Sequence, residues 1–570
     1  MSKPNFKSFD PVNVAELAIN YLTNMTDEAN DYLPYWLVLP HKKPAEAAHC
    51  KVDDAELVAS WFEGISCARE VAGTEVGAEH QAAFRRHLMQ SWGEHGLRYH
   101  KKYPWTHTLH ASFHEMGYVL SALNRCLVLD PNDAEAEEHA ANLVKGMLGV
   151  AIQRKTRVFW SGDSREPLTV YEFPNDIYLQ DGGFNMSYHT GRGEQPIRNG
   201  VIVYPLVKRY ELTGDENALE LAKGYVNYLL GHSRYFSYNM EFFGHVHSSL
   251  WVASGMIMMG RLTNEPFYIK KGKEIYDFVR TKTSSFGWVP EFMKWKPMIE
   301  ENCETCCIKD LLECAHELVL SGYEEYWADI NSFVRNQLVE NQVTHTGYVV
   351  TDDNKEDDKA AGITYKRLNK RMIGGFSGGS QPNSMSLTKF RSIAGCCAGF
   401  APIGLWRAWT VSIGETEERV TVNIPLNKDV QKAKVRSFYP NEGRMEVTAT
   451  SDTEVAFRTY DWMGEAEDIK VLVNGVAAEA VKEGALLVVS AKAGDVVTLE
   501  HAVETVTIPE EVRGAEYQIV WRGPDVVDIL PHGEHMRLYQ RNLDVPYDEP
   551  TPDEVEFTGA SDYGPTQQKR

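Results

Sequence analysis

Four times between Met116 and Leu338 the chain repeats one pattern: an apolar helical stretch, a short turn and a second helical stretch. The copies are Met116 to Leu129 with Ala134 to Leu148, Val201 to Leu212 with Ala218 to Leu230, Leu250 to Leu262 with Tyr268 to Val279, and Ile308 to Leu320 with Tyr326 to Leu338. In the fourth, Ile308, Leu311, Leu312, Ala315, Leu318 and Val319 recur at helical spacing. Gly214 and Gly322 stand where a helix end favours a left-handed residue. A helical hairpin cannot bury its own apolar face, so repeated hairpins must stack or close on one another. Six of them closed into a ring make an (α/α)6 toroid, whose inner helices leave a cleft at one end. The residues show hairpins; the number six is an inference.

Near residue 415 the period changes to two. Val420, Val422, Ile424 and Leu426 alternate with other residues, and Pro425 suggests an edge or a strand end. Val455-Ala456-Phe457, Ile469 to Val473 and Val496 to Leu499 follow, with Asn474-Gly475 as a hairpin turn. A further strand is expected over Tyr517 to Trp521. This is an all-β module, read as a sandwich. At 570 residues the chain exceeds one hydrophobic core. The expected architecture is an α+β multidomain chain: a toroid over 1–410, a β-sandwich module over 411–540, and an acidic, loosely held tail over 541–570.

Six of the nine cysteines fall between Cys303 and Cys397, in two clusters, Cys303-Glu304-Thr305-Cys306-Cys307 and Gly395-Cys396-Cys397. No secretory h-region follows Met1 and no apolar run is long enough to span a bilayer, so a cytoplasmic protein is expected. Thiols there stay reduced, and clustered ones point to metal or catalysis rather than disulfides. Glu304, Cys306, Cys396 and Cys397 together offer enough oxygen and sulfur for a tetrahedral zinc, and a thiolate that could do chemistry. Buried apolar thiols are the plain alternative. The net charge of −22 argues against nucleic-acid backbones and anionic membranes, and favours neutral or cationic small molecules. Thirteen Trp and 27 Tyr suit a sugar-lining cleft, although core packing accounts for them equally well.

With Glu304-Thr305-Cys306 followed by Cys396-Cys397, inside helical hairpins that precede a β module, the sequence resembles the β-L-arabinofuranosidase family of zinc-cysteine glycosidases (family 127 type). The resemblance runs from about His107 to Gln540. Thr108-Leu109-His110, Gly244-His245-Val246, Arg335-Asn336-Gln337-Leu338, Val473-Asn474-Gly475 and Arg522-Gly523-Pro524 support it. It implies a retaining glycoside hydrolase in which Glu304, Cys306, Cys396 and Cys397 bind Zn2+ and Cys396 attacks the anomeric carbon. Glu291 is implied as the acid/base, just upstream of the zinc cluster at a shorter spacing than in the family; Glu300 and Glu301 are the fallbacks. His110 and His245 match positions that contact the sugar. The implied substrate is a small glycoside or oligosaccharide, β-L-arabinofuranoside-like. Any homodimer contact is expected through the β module.

Departures concern sugar recognition. Asn331 stands where the family carries a carboxylate, and is taken as a substrate-binding position. Ala398 replaces a proline, and Gly200-Val201-Ile202-Val203-Tyr204 replaces a Gly-Gly-Met-Asn-Glu stretch. Two other readings stay open: a sugar lyase or epimerase on the same toroid, and a non-catalytic carbohydrate-binding protein with a structural zinc. Cys303, Cys307 and Cys314 are read as packing residues. His107, His110 and His114 have one-face helical spacing, and His245 and His247 would share a strand face. A turn permitted by Gly395 and Gly399 is expected to bring Cys396 and Cys397 together. The stretch Gly374 to Ser380 lacks the lysine of a phosphate loop and is read as a mobile loop over the cleft.

Overall fold

The structure, a computed structural model, describes residues 4–106, 110–156, 167–186, 195–296, 301–385, 393–534 and 536–547. Helices alternate along its first body. We number them α1 (Pro11–Asn24), α2 (Val58–Ala72), α3 (Ala78–Leu88), α4 (Phe113–Leu129), α5 (Ala134–Val150), α6 (Val203–Thr213), α7 (Glu216–Asn227), α8 (Val246–Thr263), α9 (Pro266–Arg280), α10 (Thr305–Leu320), α11 (Trp327–Phe333) and α12 (Gly395–Ser412). The even-numbered helices pack on one another in cyclic order, α2 on α4, α4 on α6, and so on to α12, which returns to α2. The odd-numbered helices lie outside them, each against its hairpin partner, with α1 spanning α2 and α12.

Sequence decides which helix is inside. In α4 every residue from Phe113 to Leu127 is buried, whereas α5 buries only Ala136, Ala140, Leu143, Val144 and Met147. The first pattern is a helix enclosed all round; the second is the single stripe of a surface helix. Caps mark the joints. The carboxylates of Asp133 and Asp215 accept from the first turns of α5 and α7, and Gly214 closes α6 at φ 72°.

The glycines near the cysteine pair have a different use from the turn expected of them. Gly395 to Ser412 is one helix. A Cβ on Gly64 of α2 would stand 2.2 Å from the Gly399 carbonyl oxygen, and one on Gly399 would meet the Ser60 hydroxyl at 2.7 Å. Gly64 and Gly399 therefore allow α2 and α12 to touch backbone to backbone.

Beyond α12 two sheets face each other. One runs Ile413–Glu415, Arg419–Val422, Thr453–Arg458, Leu486–Ala491, Val481–Glu483; the other runs Lys428–Asp429, Ala433–Ser437, Arg444–Ala449, Val496–Glu500, Lys470–Val473, Val476–Ala477. Val420, Val422, Val455 and Phe457 from the first share a core with Val435, Met445, Val447 and Leu499 from the second. Asn474 (φ 53°) and Gly475 (φ 77°) make the tight turn between Lys470–Val473 and Val476–Ala477. The first strand stops at Val422, and Ile424 and Leu426 instead enter the core of the helical body.

A third sheet, Thr505–Val512, Ala515–Arg522 and Asp525–Leu530, also packs on the helical body through Val512, Tyr517, Ile519, Val526 and Ile529. The 411–540 stretch is thus a sandwich followed by a separate three-stranded meander. Two of the family-like motifs meet at this joint. The Asn336 side-chain amide donates to the Pro524 carbonyl at 3.1 Å, and Arg335 and Arg541 both bind Asp525, each at 2.9 Å. Arg541 is buried and also holds Glu340 at 2.6 Å, so the chain is anchored where the loose tail was expected to begin. The rest of that tail, 548–570, lies outside the described residues.

Candidate metal centre and active site

The residues ahead of the inner helices gather at one end of the ring. His110 lies on the short strand before α4, His245 is the residue before α8, Glu304 precedes α10, and Cys396 and Cys397 occupy the first turn of α12. Helix N-termini carry unsatisfied N–H groups and a partial positive charge, which favours thiolates and carboxylates there.

Ligand atoms of Glu304, Cys306, Cys396 and Cys397 all lie within 4.8 Å of one another. Cys306 Sγ is 3.4 Å from Cys397 Sγ, Cys396 Sγ is 4.0 Å from Cys397 Sγ, and Cys396 Sγ is 3.9 Å from Glu304 Oε1. Thiolates on a tetrahedral ion with ~2.3 Å metal–sulfur bonds stand ~3.8 Å apart. The set fits such an ion. Without an ion, burial pushes the Cys306 thiol and the Glu304 carboxyl up, toward their neutral forms. The Cys397 thiol, despite its burial, is drawn down to about 6 by hydrogen bonds from Cys306 and Cys396. Cys396 keeps 5% exposure while Cys397 is fully enclosed, so Cys396 is the more accessible thiol of this pair.

Glu291 also lies beside Glu304. Its carboxylate, the Glu304 carboxylate and a His245 ring nitrogen also lie within 4.8 Å of one another, and His245 Nε2 is 3.7 Å from Glu304 Oε2. Backbone bonds hold it there: Glu291 N–H donates to Asn302 at 2.9 Å, and Val246 N–H donates to Glu291 at 2.9 Å. Glu301 turns elsewhere, toward Lys294 at 3.8 Å. Glu300 and His107 lie outside the described residues.

The glycine-rich stretch, expected to be mobile, is a buried strap under this site. Cys303 and Ser380 exchange backbone hydrogen bonds at 2.8 and 2.9 Å, the Thr305 hydroxyl donates to the Ser377 carbonyl at 2.6 Å, and the Trp288 indole donates to the Ser380 carbonyl at 3.0 Å. The strap thus fixes both residues that flank Glu304. Small residues suit it because it runs through the core, not over the cleft.

Two histidine groupings come out differently from their spacing. His110 is on a strand and His114 inside α4, and His247 is in α8 rather than beside His245 on a strand. His110 is buried with no hydrogen-bond partner on Nδ1, and its ring centroid is 4.7 Å from that of His100. Burial and the His100 charge bring it down to about 4, so it is neutral. Asn331 is not brought to the site by any described contact. It is buried in α11, an outer helix, with its side-chain oxygen unpartnered.

Sequence reasoning missed three features. The first is a buried relay: Asp310 bonds His247 Nδ1, His247 Nε2 is 2.9 Å from the Tyr118 hydroxyl, and that hydroxyl is 3.2 Å from His114 Nε2. His114 Nδ1 is in turn 3.0 Å from the Arg198 carbonyl. Tyr118 has one proton for two ring nitrogens, so one histidine must be cationic to complete the chain. Although burial opposes it, the Asp310 charge raises His247, while burial and the Arg198 charge lower His114. Of the two, His247 is the one whose surroundings favour the cation. Tyr118→Phe would leave both ring nitrogens unpartnered, and a stability loss of about 1–3 kcal/mol is expected. A lowered thermal unfolding midpoint at unchanged metal content checks this.

The second is Glu56, whose buried carboxyl is pushed well up by desolvation and then by Cys396 and Glu115. It belongs to Asp53-Asp54-Ala55-Glu56, three acids in four residues that read as a solvated helix start. The third is Arg198, whose charge acts on Glu56, Glu304, Asp176 and His114. Nothing in its sequence neighbourhood marks it.

No protein-family model matches the chain, and neither does any curated protein. Solved structures do. A GH127 β-arabinofuranosidase is 16% identical with a TM-score of 0.57, covering 92% of this chain and 84% of that one. A GH127 β-L-arabinofuranosidase from Geobacillus stearothermophilus T6 is 16% identical with a TM-score of 0.54, covering 91% and 80%. A further glycoside hydrolase is 12% identical with a TM-score of 0.54, covering 92% and 81%. The chain is similar to these in fold over nearly its whole length. Among the described residues no helix is long and apolar enough to cross a membrane.

Proposed function

We propose that this chain is a retaining glycoside hydrolase with Cys396 as nucleophile and Glu291 as acid/base, on an (α/α)6 toroid formed by the ring of inner helices. One observation carries the reading: Cys396 and Glu291 each lie beside the same carboxylate, Glu304. The donor set of Cys306, Cys396, Cys397 and Glu304 suits zinc. Zinc, when bound there, would keep the thiols deprotonated.

The chain's own groups supply the rest. Cys396 Sγ forms a bond to the anomeric carbon as the carbon–oxygen bond to the leaving group breaks, and Glu291 gives that oxygen its proton. Water then attacks the same carbon, the carbon–sulfur bond breaks back to the thiolate, and Glu291 takes the water's proton. Two inversions give retention. His110, held neutral by burial, and His245 are assigned to the sugar hydroxyls, as the resemblance implies. By likeness to the GH127 structures, the substrate is a β-L-arabinofuranoside or a related small glycoside.

A closed set of three thiolates and a carboxylate also suits a purely structural ion. Glu291 and His245 beside it are what a structural site does not need. Incubation with an activated aryl glycoside and intact-mass measurement separates the readings. A single glycosyl adduct on Cys396 is expected, with stoichiometric zinc in the same sample. Turnover without an adduct and with an ultraviolet-absorbing unsaturated product would instead identify a lyase.

A further inference from the structure

Phe243 and Trp295 stand in water at 55% and 81% exposure, with ring centroids 5.7 Å apart and planes inclined at 51°. Two aromatic rings are thus left in contact with each other and uncovered, forgoing the burial that such large apolar surfaces favour.

Their place in the chain is informative. Gly244–His245 pairs antiparallel with Phe292–Met293, His245 opposite Phe292 and Gly244 opposite Met293. Phe243 is the residue before the first strand, and Trp295 lies two beyond the second. One short ribbon therefore carries His245 and Glu291 at its inner end and the two exposed rings at its outer end. Phe243 lies at a bend directly before this strand, two residues from His245. The aromatic pair thus forms an exposed apolar face at the outer end of the ribbon whose inner end presents His245 to Glu304.

Glu291 fixes what that face would meet. An acid that protonates the glycosidic oxygen must lie on the leaving group's side of the scissile bond. The leaving group then emerges along Glu291's own ribbon, toward Phe243 and Trp295. Sugar rings present faces of C–H bonds that pack on aromatic rings, leaving their hydroxyls to water. We propose that Phe243 and Trp295 form a leaving-group subsite that binds the second saccharide of the substrate through its apolar face. This rests on the glycosidase reading above.

The test compares two hydrolysis-resistant or slowly cleaved probes by calorimetric titration, methyl β-L-arabinofuranoside and a sulfur-linked L-arabinofuranosyl disaccharide. In Phe243→Ala/Trp295→Ala the disaccharide is expected to bind about tenfold more weakly, the loss of one stacking contact, while the methyl glycoside is unchanged. Trp295→Phe should recover most of the difference. Both side chains are exposed, so unfolding midpoint and metal content should match the wild type. Equal disaccharide binding by variant and wild type would overturn the subsite and leave the glycosidase reading standing. Failure of the wild type to bind either probe would sink the arabinofuranoside reading and the subsite with it. A concentration-dependent dimer in sedimentation, lost in the double variant, would assign the rings to a second copy instead.

Discussion

Cys396→Ser is expected to lower turnover by roughly 10^4-fold or more, while the protein still folds and retains much of its metal. The geometry of the three thiols separates metal holding from attack. Cys306 and Cys397 are 3.4 Å apart and enclosed, and Glu304 adds a third donor. These three would hold an ion without Cys396, with a serine hydroxyl as a weak fourth donor. Nothing else in the set can attack a sugar. Cys397 has no exposure, Cys306 has 1%, and Glu304 precedes its helix with both oxygens committed among Cys396, Cys307 and His245. A serine hydroxyl lacks the thiolate's nucleophilicity at neutral pH. Cys306→Ser should show the contrasting pattern, with metal loss and activity loss together. Turnover by Cys396→Ser at the wild-type rate, with metal in place, would end the nucleophile assignment.

Much of this was legible in the residues, because the information was local. Hairpin boundaries followed from caps and apolar spacing, and Asn474-Gly475 announced its turn. Glu304, Cys306, Cys396 and Cys397 could be grouped because the residue types themselves imply a shared ion. What failed was local spacing used across a change of structure. His245 and His247 sit two apart, but a helix begins between them, so one faces Glu304 and the other Asp310. Gly395 and Gly399 read as turn residues, yet Gly399 serves the approach of α2, a contact more than 300 residues away in sequence. The relay through Tyr118 joins α4, α8 and α10, and no one-dimensional pattern brings those together. Asn331 was placed by the resemblance alone, and the outer position of α11 gives that placement no support.

The second large effect is expected at Glu291, and it differs in kind. Glu291→Gln keeps the shape and the backbone bonds to Asn302 and Val246, and removes only the transferable proton. Loss of general acid and base chemistry costs about 10^2–10^4-fold. The two steps should separate. With a natural saccharide leaving group the first step fails, because an alkoxide cannot leave unprotonated. With a nitrophenyl glycoside the leaving group needs no proton, so Cys396 is still glycosylated. The second step then stalls, since water has no base. Rapid mixing should show a burst of nitrophenol equal to the enzyme concentration, followed by slow turnover, and intact mass should show the adduct accumulating on Cys396. Azide, a nucleophile that needs no deprotonation, should restore turnover and yield a glycosyl azide of the substrate's own anomeric configuration. Glu301→Gln is the control, because its carboxylate faces Lys294, and little change in rate is expected. A Glu291→Gln enzyme slowed equally on both leaving groups, with no burst and no azide rescue, would mean that Glu291 positions the sugar and the proton comes from another group.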